Sequence, residues 1–126
     1  MQLVFDSSAV LAYAQSAVAP GELLMMVGEE EETVGVPVTC LAEAYAGAVT
    51  KVEEDLLHYL STSVPAAAML PLVPTDVPTV GRLARNTSLG VAHAVVVSER
   101  LNACIATRHG TLLRRLGIYG GDIIDL

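Results

Sequence analysis

Leu3-Val4-Phe5-Asp6-Ser7-Ser8-Ala9-Val10-Leu11-Ala12 is the stretch whose reading decides the fold. Three β-prone apolar residues stop at a carboxylate, and a run with helical character follows at once. Ser7 or Ser8 offers an N-cap for that helix; Asp6 as the cap is the bland alternative, worth about 1 kcal/mol. A short strand that runs straight into a helix is the opening of a β-α unit, and the rest of the chain repeats that alternation.

Working outward, residues 9–15 read as the first helix, broken by Pro20-Gly21, and residues 22–28 as the second. Glu29 to Glu32 form a solvated acidic turn. Residues 34–38 read as a strand, with Thr39 or Cys40 capping a helix that reaches about residue 49. Residues 51–60 give a helix whose early acids suit its dipole. Residues 70–73 read as a short strand that prolines confine to a sheet edge or its approach. Helices over 76–86 and 91–102, a buried strand over 103–106, a short helix over 111–116 and a last strand over 122–126 complete the reading. The expected fold is α/β: one domain over residues 1–126, three layers, with a mainly parallel central sheet flanked by helices.

Composition bounds what such a domain can do. The 126 residues are 52% hydrophobic with one Phe and no Trp, so the core is aliphatic. Formal charge is −7, and an acidic balance opposes tight non-specific nucleic-acid binding, which draws on cations neutralising phosphates. The charge is uneven: residues 1–80 hold eleven acids and the single lysine, Lys51, whereas residues 81–126 hold six arginines against three acids. Cys40 and Cys104 make neither a CxxC pair nor a disulfide framework, which points to the reducing cytoplasm. Asp6 interrupts the only N-terminal apolar run, and no window of eighteen apolar residues exists, so neither a signal peptide nor a membrane span is expected.

In an open parallel sheet, ligands bind beyond the carboxyl ends of the strands. That edge receives Asp6, the residues from Thr39 onward and Thr107-Arg108-His109. A phosphoacceptor receiver would need a lysine after a late strand, but Lys51 sits in a helix. A phosphatase of the haloacid-dehalogenase type would need a second Asp where this chain has Ser8. A metal-dependent nuclease, which gathers carboxylates from several strand ends around Mg²⁺ or Mn²⁺, remains.

Residues 3–12 resemble the opening of PIN domains, where an apolar strand ends in the first metal-site Asp. Val36-Pro37-Val38-Thr39-Cys40-Leu41-Ala42-Glu43-Ala44 resembles the second PIN element, a strand and then a helix with an acid on its first turn. Leu89-Gly90-Val91-Ala92-His93-Ala94-Val95 through Ala106-Thr107-Arg108-His109 resembles the third and fourth. The resemblance covers essentially the whole chain. It implies a divalent-metal endoribonuclease, a hydrolase of the VapC toxin type held by an antitoxin-like protein, commonly as a homodimer. Carried over residue by residue, Asp6 and Glu43 match the first two catalytic acids, whereas the expected acids at Val91 and His109 are absent.

A close opposite-charge pair contributes on the order of 4 kcal/mol at an effective dielectric of about 20, so losing two acids removes much of the attraction for a cation. Asp6 and Glu43, with His109 as an added metal ligand, are expected to bind Mg²⁺ or Mn²⁺ weakly, and imidazole favours Mn²⁺. Ser8, Thr107 and Arg108 are candidate phosphate or RNA contacts. His93 lies about 200° around the helix from Val91 and is read as a packing or partner-facing residue. Two functions follow: a nuclease of reduced or lost activity, or a non-catalytic PIN-like module that binds an antitoxin-like protein or RNA.

Overall fold

The computed structural model describes residues 2–126. Its strands are β1 (Leu3–Phe5), β2 (Val34–Pro37), β3 (Ala67–Leu70), β4 (Cys104–Thr107) and β5 (Ile123–Asp125). Its helices are α1 (Ser7–Ala14), α2 (Val18–Glu29), α3 (Val38–Gly47), α4 (Lys51–Ser63), α5 (Val77–Leu83), α6 (Leu89–Leu101) and α7 (Gly110–Leu116). Short 3₁₀ turns at Pro74–Asp76 and Ala84–Asn86 flank α5. All strands join one sheet in the order β3-β2-β1-β4-β5, and every pairing is parallel. The α/β expectation holds.

β1 and β2 are buried along their whole length, as strands covered on both faces must be. The main core joins Leu3 and Phe5 to Val10 of α1, Leu24 and Val27 of α2, and Leu57 and Leu60 of α4. Burying each such leucine contributes about 2 kcal/mol. A second cluster sets Val91 and Val95 of α6 against Ile105 of β4, Leu113 of α7 and Tyr119. Together they hold helices against both faces of the sheet.

Several expected boundaries move, each for a physical reason. Pro20 does not break the helix: it is the third residue of α2, inside the first turn, where its missing N–H leaves no intrahelical bond unmade. The chain reverses instead at Ser16, which adopts a φ of 62°. β3 lies at Ala67–Leu70 rather than 70–73, because Pro71 has no N–H to donate and pairing stops before it. It is an edge strand, as expected. β2 ends at Pro37 and α3 starts at Val38, so Glu43 sits on the second turn of α3 and not the first. No single described helix is long and apolar enough to cross a membrane.

Candidate functional site

The order β2-β1-β4 brings the carboxyl ends of three strands side by side, with β1 in the middle. Phe5 pairs with Ala106, so Asp6 lies beside Thr107, and the Asp6 N–H donates to the Ala106 carbonyl at 3.3 Å. Asp6 rather than a serine is the N-cap of α1, and it is fully buried.

Both Asp6 oxygens are occupied by protein donors. Oδ1 accepts from the Ala9 N–H at 3.0 Å and from the Ser8 hydroxyl at 2.6 Å. Oδ2 accepts from the Thr107 hydroxyl at 2.5 Å. The Ser8 oxygen accepts in turn from the Arg108 N–H at 2.8 Å, and the Thr107 oxygen from the His109 N–H at 2.8 Å. Ser8 and Thr107 lie 3.3 Å apart, but each has a single proton and Asp6 takes it. Two backbone amides therefore feed two hydroxyls that converge on one carboxylate, a directional network in which each bond polarises the next. It ties β1 and α1 to the turn between β4 and α7.

Glu43 has a separate environment, half-buried at the cleft. Its Oε1 accepts from the Ser7 hydroxyl at 2.5 Å, the Ser88 hydroxyl at 2.9 Å and the Gly90 N–H at 3.1 Å. Ser88 is the N-cap of α6 and itself accepts from the Val91 N–H. The helix dipole that favours the Glu43 charge is thus that of α6, not of its own helix. Gly90 makes this approach possible: a Cβ there would lie 2.0 Å from the Ser7 hydroxyl and 2.2 Å from Glu43 Oε1. The Cys40 thiol donates to the Gly90 carbonyl at 3.0 Å; burial pushes its pKa far up, so it remains a protonated donor.

Above these carboxylates lies an open cleft of about 290 Å³. Leu11 and Ala44 supply its apolar wall, and Ser7, Ser8, Glu43, Arg108 and His109 line the rest. Asp6 lies beneath the surface and is not part of the lining. Arg108 is exposed, with its guanidinium 3.3 Å from the Gln15 side-chain oxygen.

The expected site residues thus fall into distinct groups. Ser8 and Thr107 meet at Asp6, and Glu43, Arg108 and His109 share the cleft. Val91 does not reach it: only 5% exposed, it packs with Val95, Ile105, Leu113 and Tyr119. His93 packs as expected, fully buried, with Nδ1 2.7 Å from the Thr39 hydroxyl. Reading the sequence missed Ser7, Ser88 and Gly90 as partners of Glu43. Ser88 did carry a signal, as a serine just before an apolar helical run; nothing local marked Gly90.

As placed, Asp6, Glu43 and His109 do not form a three-ligand group around a divalent ion. Among the described residues no group of three His, Cys, Asp or Glu side chains is arranged to hold one. A cation at Asp6 would have to share its oxygens with the Ser8 and Thr107 hydroxyls and the Ala9 N–H. No family model and no curated protein matches the chain.

Proposed function

We propose that this chain is a PIN-like, VapC-like domain whose metal-dependent ribonuclease chemistry is lost or strongly reduced, and which acts as a non-catalytic binding module in the cytoplasm. The single observation behind this reading is that serine and threonine hydroxyls already bond both oxygens of Asp6 and one oxygen of Glu43. A hard cation would compete with those hydroxyls for the same oxygens. The sequence adds that the remaining acid positions hold Val91 and His109.

The cleft is then a recognition surface. Arg108 and His109 face it from one side and Glu43 from the other, over an apolar wall. The net charge of −7 favours a protein ligand, of the antitoxin-like kind that the resemblance implies, over RNA. The same resemblance implies a homodimer.

Calorimetric titration with Mn²⁺ and cleavage assays on single-stranded and structured RNA in Mg²⁺ and Mn²⁺ test the proposal, with Asp6→Asn as the control. The expected result is no saturable Mn²⁺ binding in the micromolar range and no cleavage that Asp6→Asn removes. Micromolar Mn²⁺ affinity together with Asp6-dependent cleavage would sink the reading and restore a nuclease.

A further inference from the structure

α2 has an outer face that its position does not explain. Its inner face, Pro20, Leu24 and Val27, is buried, the last two in the main core. The opposite stripe carries Val18, Glu22, Met25, Met26 and Glu29, at spacings that put all five on one side of a helix. Val18 is 70% exposed, Met25 67% and Met26 55%. A surface helix ordinarily shows polar residues there, whereas this one alternates large apolar side chains with glutamates. Unbranched methionines adapt to many shapes, and they are over-used where a protein binds another chain.

The charge around the stripe selects among occupants. Residues 1–50 contain no lysine or arginine, and Glu22 and Glu29 lie within the stripe while Glu31 is exposed just beyond its end. A second copy meeting this face through a two-fold axis would set acid against acid. An anionic membrane surface would be repelled for the same reason. A helix with an apolar stripe flanked by lysines or arginines meets both requirements at once: its apolar residues cover the valine and methionines, and its cations face the glutamates. The stripe runs about 16 Å along the helix axis, the reach of a partner helix of three turns.

We propose that the outward face of α2 is a docking surface for a basic amphipathic helical segment of a partner protein. The site is separate from the cleft and stands whether or not the cleft retains chemistry. Desolvated methionine contacts supply affinity, and the glutamates supply orientation and a salt-dependent association rate.

The test uses the full chain and a fluorescent synthetic amphipathic peptide with leucines on one face and lysines on the other. A leucine–glutamate peptide and anionic lipid vesicles serve as further probes, and sedimentation velocity reports self-association. The lysine peptide is expected to bind, and the charge-neutral pair Met25→Ser/Met26→Ser to weaken it about tenfold or more with melting unchanged. Glu22→Gln/Glu29→Gln is expected to weaken it and flatten its salt dependence. Three results overturn the proposal. The first is no lysine-peptide binding, or binding indifferent to the methionine pair, which leaves charge attraction alone. The second is equal binding of the glutamate peptide or the vesicles. The third is self-association abolished by the same methionine substitutions, which makes a second copy the occupant.

Discussion

Replacing Asp6 by alanine removes one acceptor from three donors. The Ala9 N–H loses its cap, which costs about 1 kcal/mol. The Ser8 and Thr107 hydroxyls lose a carboxylate partner, and bonds to charged groups contribute about 1.5 kcal/mol each at the low end. Ser8 is half-buried and recovers part of its loss from water, whereas Thr107 is fully buried and does not. The expected destabilisation is therefore about 3–4 kcal/mol, a large share of the roughly 5–15 kcal/mol that holds a domain together. At about 4 °C per kcal/mol for a chain of this size, the melting temperature should fall by roughly 12–16 °C. Asp6→Asn keeps an acceptor for the cap and should cost less than half as much. Urea unfolding and thermal melts of parent and both variants, in EDTA and again in millimolar MnCl₂, measure this. A carboxylate held in place to receive a cation predicts the opposite: without metal it repels its acidic neighbour, so its removal leaves stability unchanged or raises it. An Asp6→Ala protein that melts at or above the parent temperature in EDTA would therefore refute the closed network.

Gly90→Ala drives a methyl group into Ser7 and Glu43 and should destabilise by about 2 kcal/mol. Most of that loss should vanish in a Ser7→Ala/Glu43→Ala background, and urea unfolding of the four proteins reads the difference. His93 adds a pH dependence. Burial holds its pKa below the usual imidazole range; Asp76 and the Pro71 backbone oppose this, and Arg100 reinforces it. The native chain holds His93 neutral to lower pH than the unfolded chain, which takes up a proton near pH 6.5. Its contribution to stability is thus complete above about pH 6.5 and is lost as pH falls below it, at up to about 1.4 kcal/mol per unit. His93→Gln, which retains a partner for Thr39, should flatten unfolding free energy against pH between about 7 and 5 relative to the parent; identical slopes would remove His93 as the cause.

Much of this arrangement is legible in residues 1–126 alone, because it depends on neighbours in the chain. Apolar runs buried on both faces, alternating with helical stretches, can only build a sheet flanked by helices. A strand ending in Asp6 just ahead of a helix puts that carboxylate at the sheet edge and at the cap of α1, both local consequences of φ/ψ and hydrogen bonding. The absence of acids at Val91 and His109 is likewise a matter of reading. What surrounds those residues is not. The partners of Asp6 and Glu43 come from strands and helices far away in sequence: Thr107 is 101 residues from Asp6, and Gly90 is 47 from Glu43. Nothing short of the order β2-β1-β4 and the packing of α3 on α6 could join them. Thus Asp6, placed correctly as the carboxylate at the end of β1, carried no sign that hydroxyls from Ser8 and Thr107 would converge on it. Register misled the reading for the same reason. Pro20 and the turn at Ser16, or β3 ending before Pro71, depend on which backbone amides find partners, and only the assembled sheet and helices decide that.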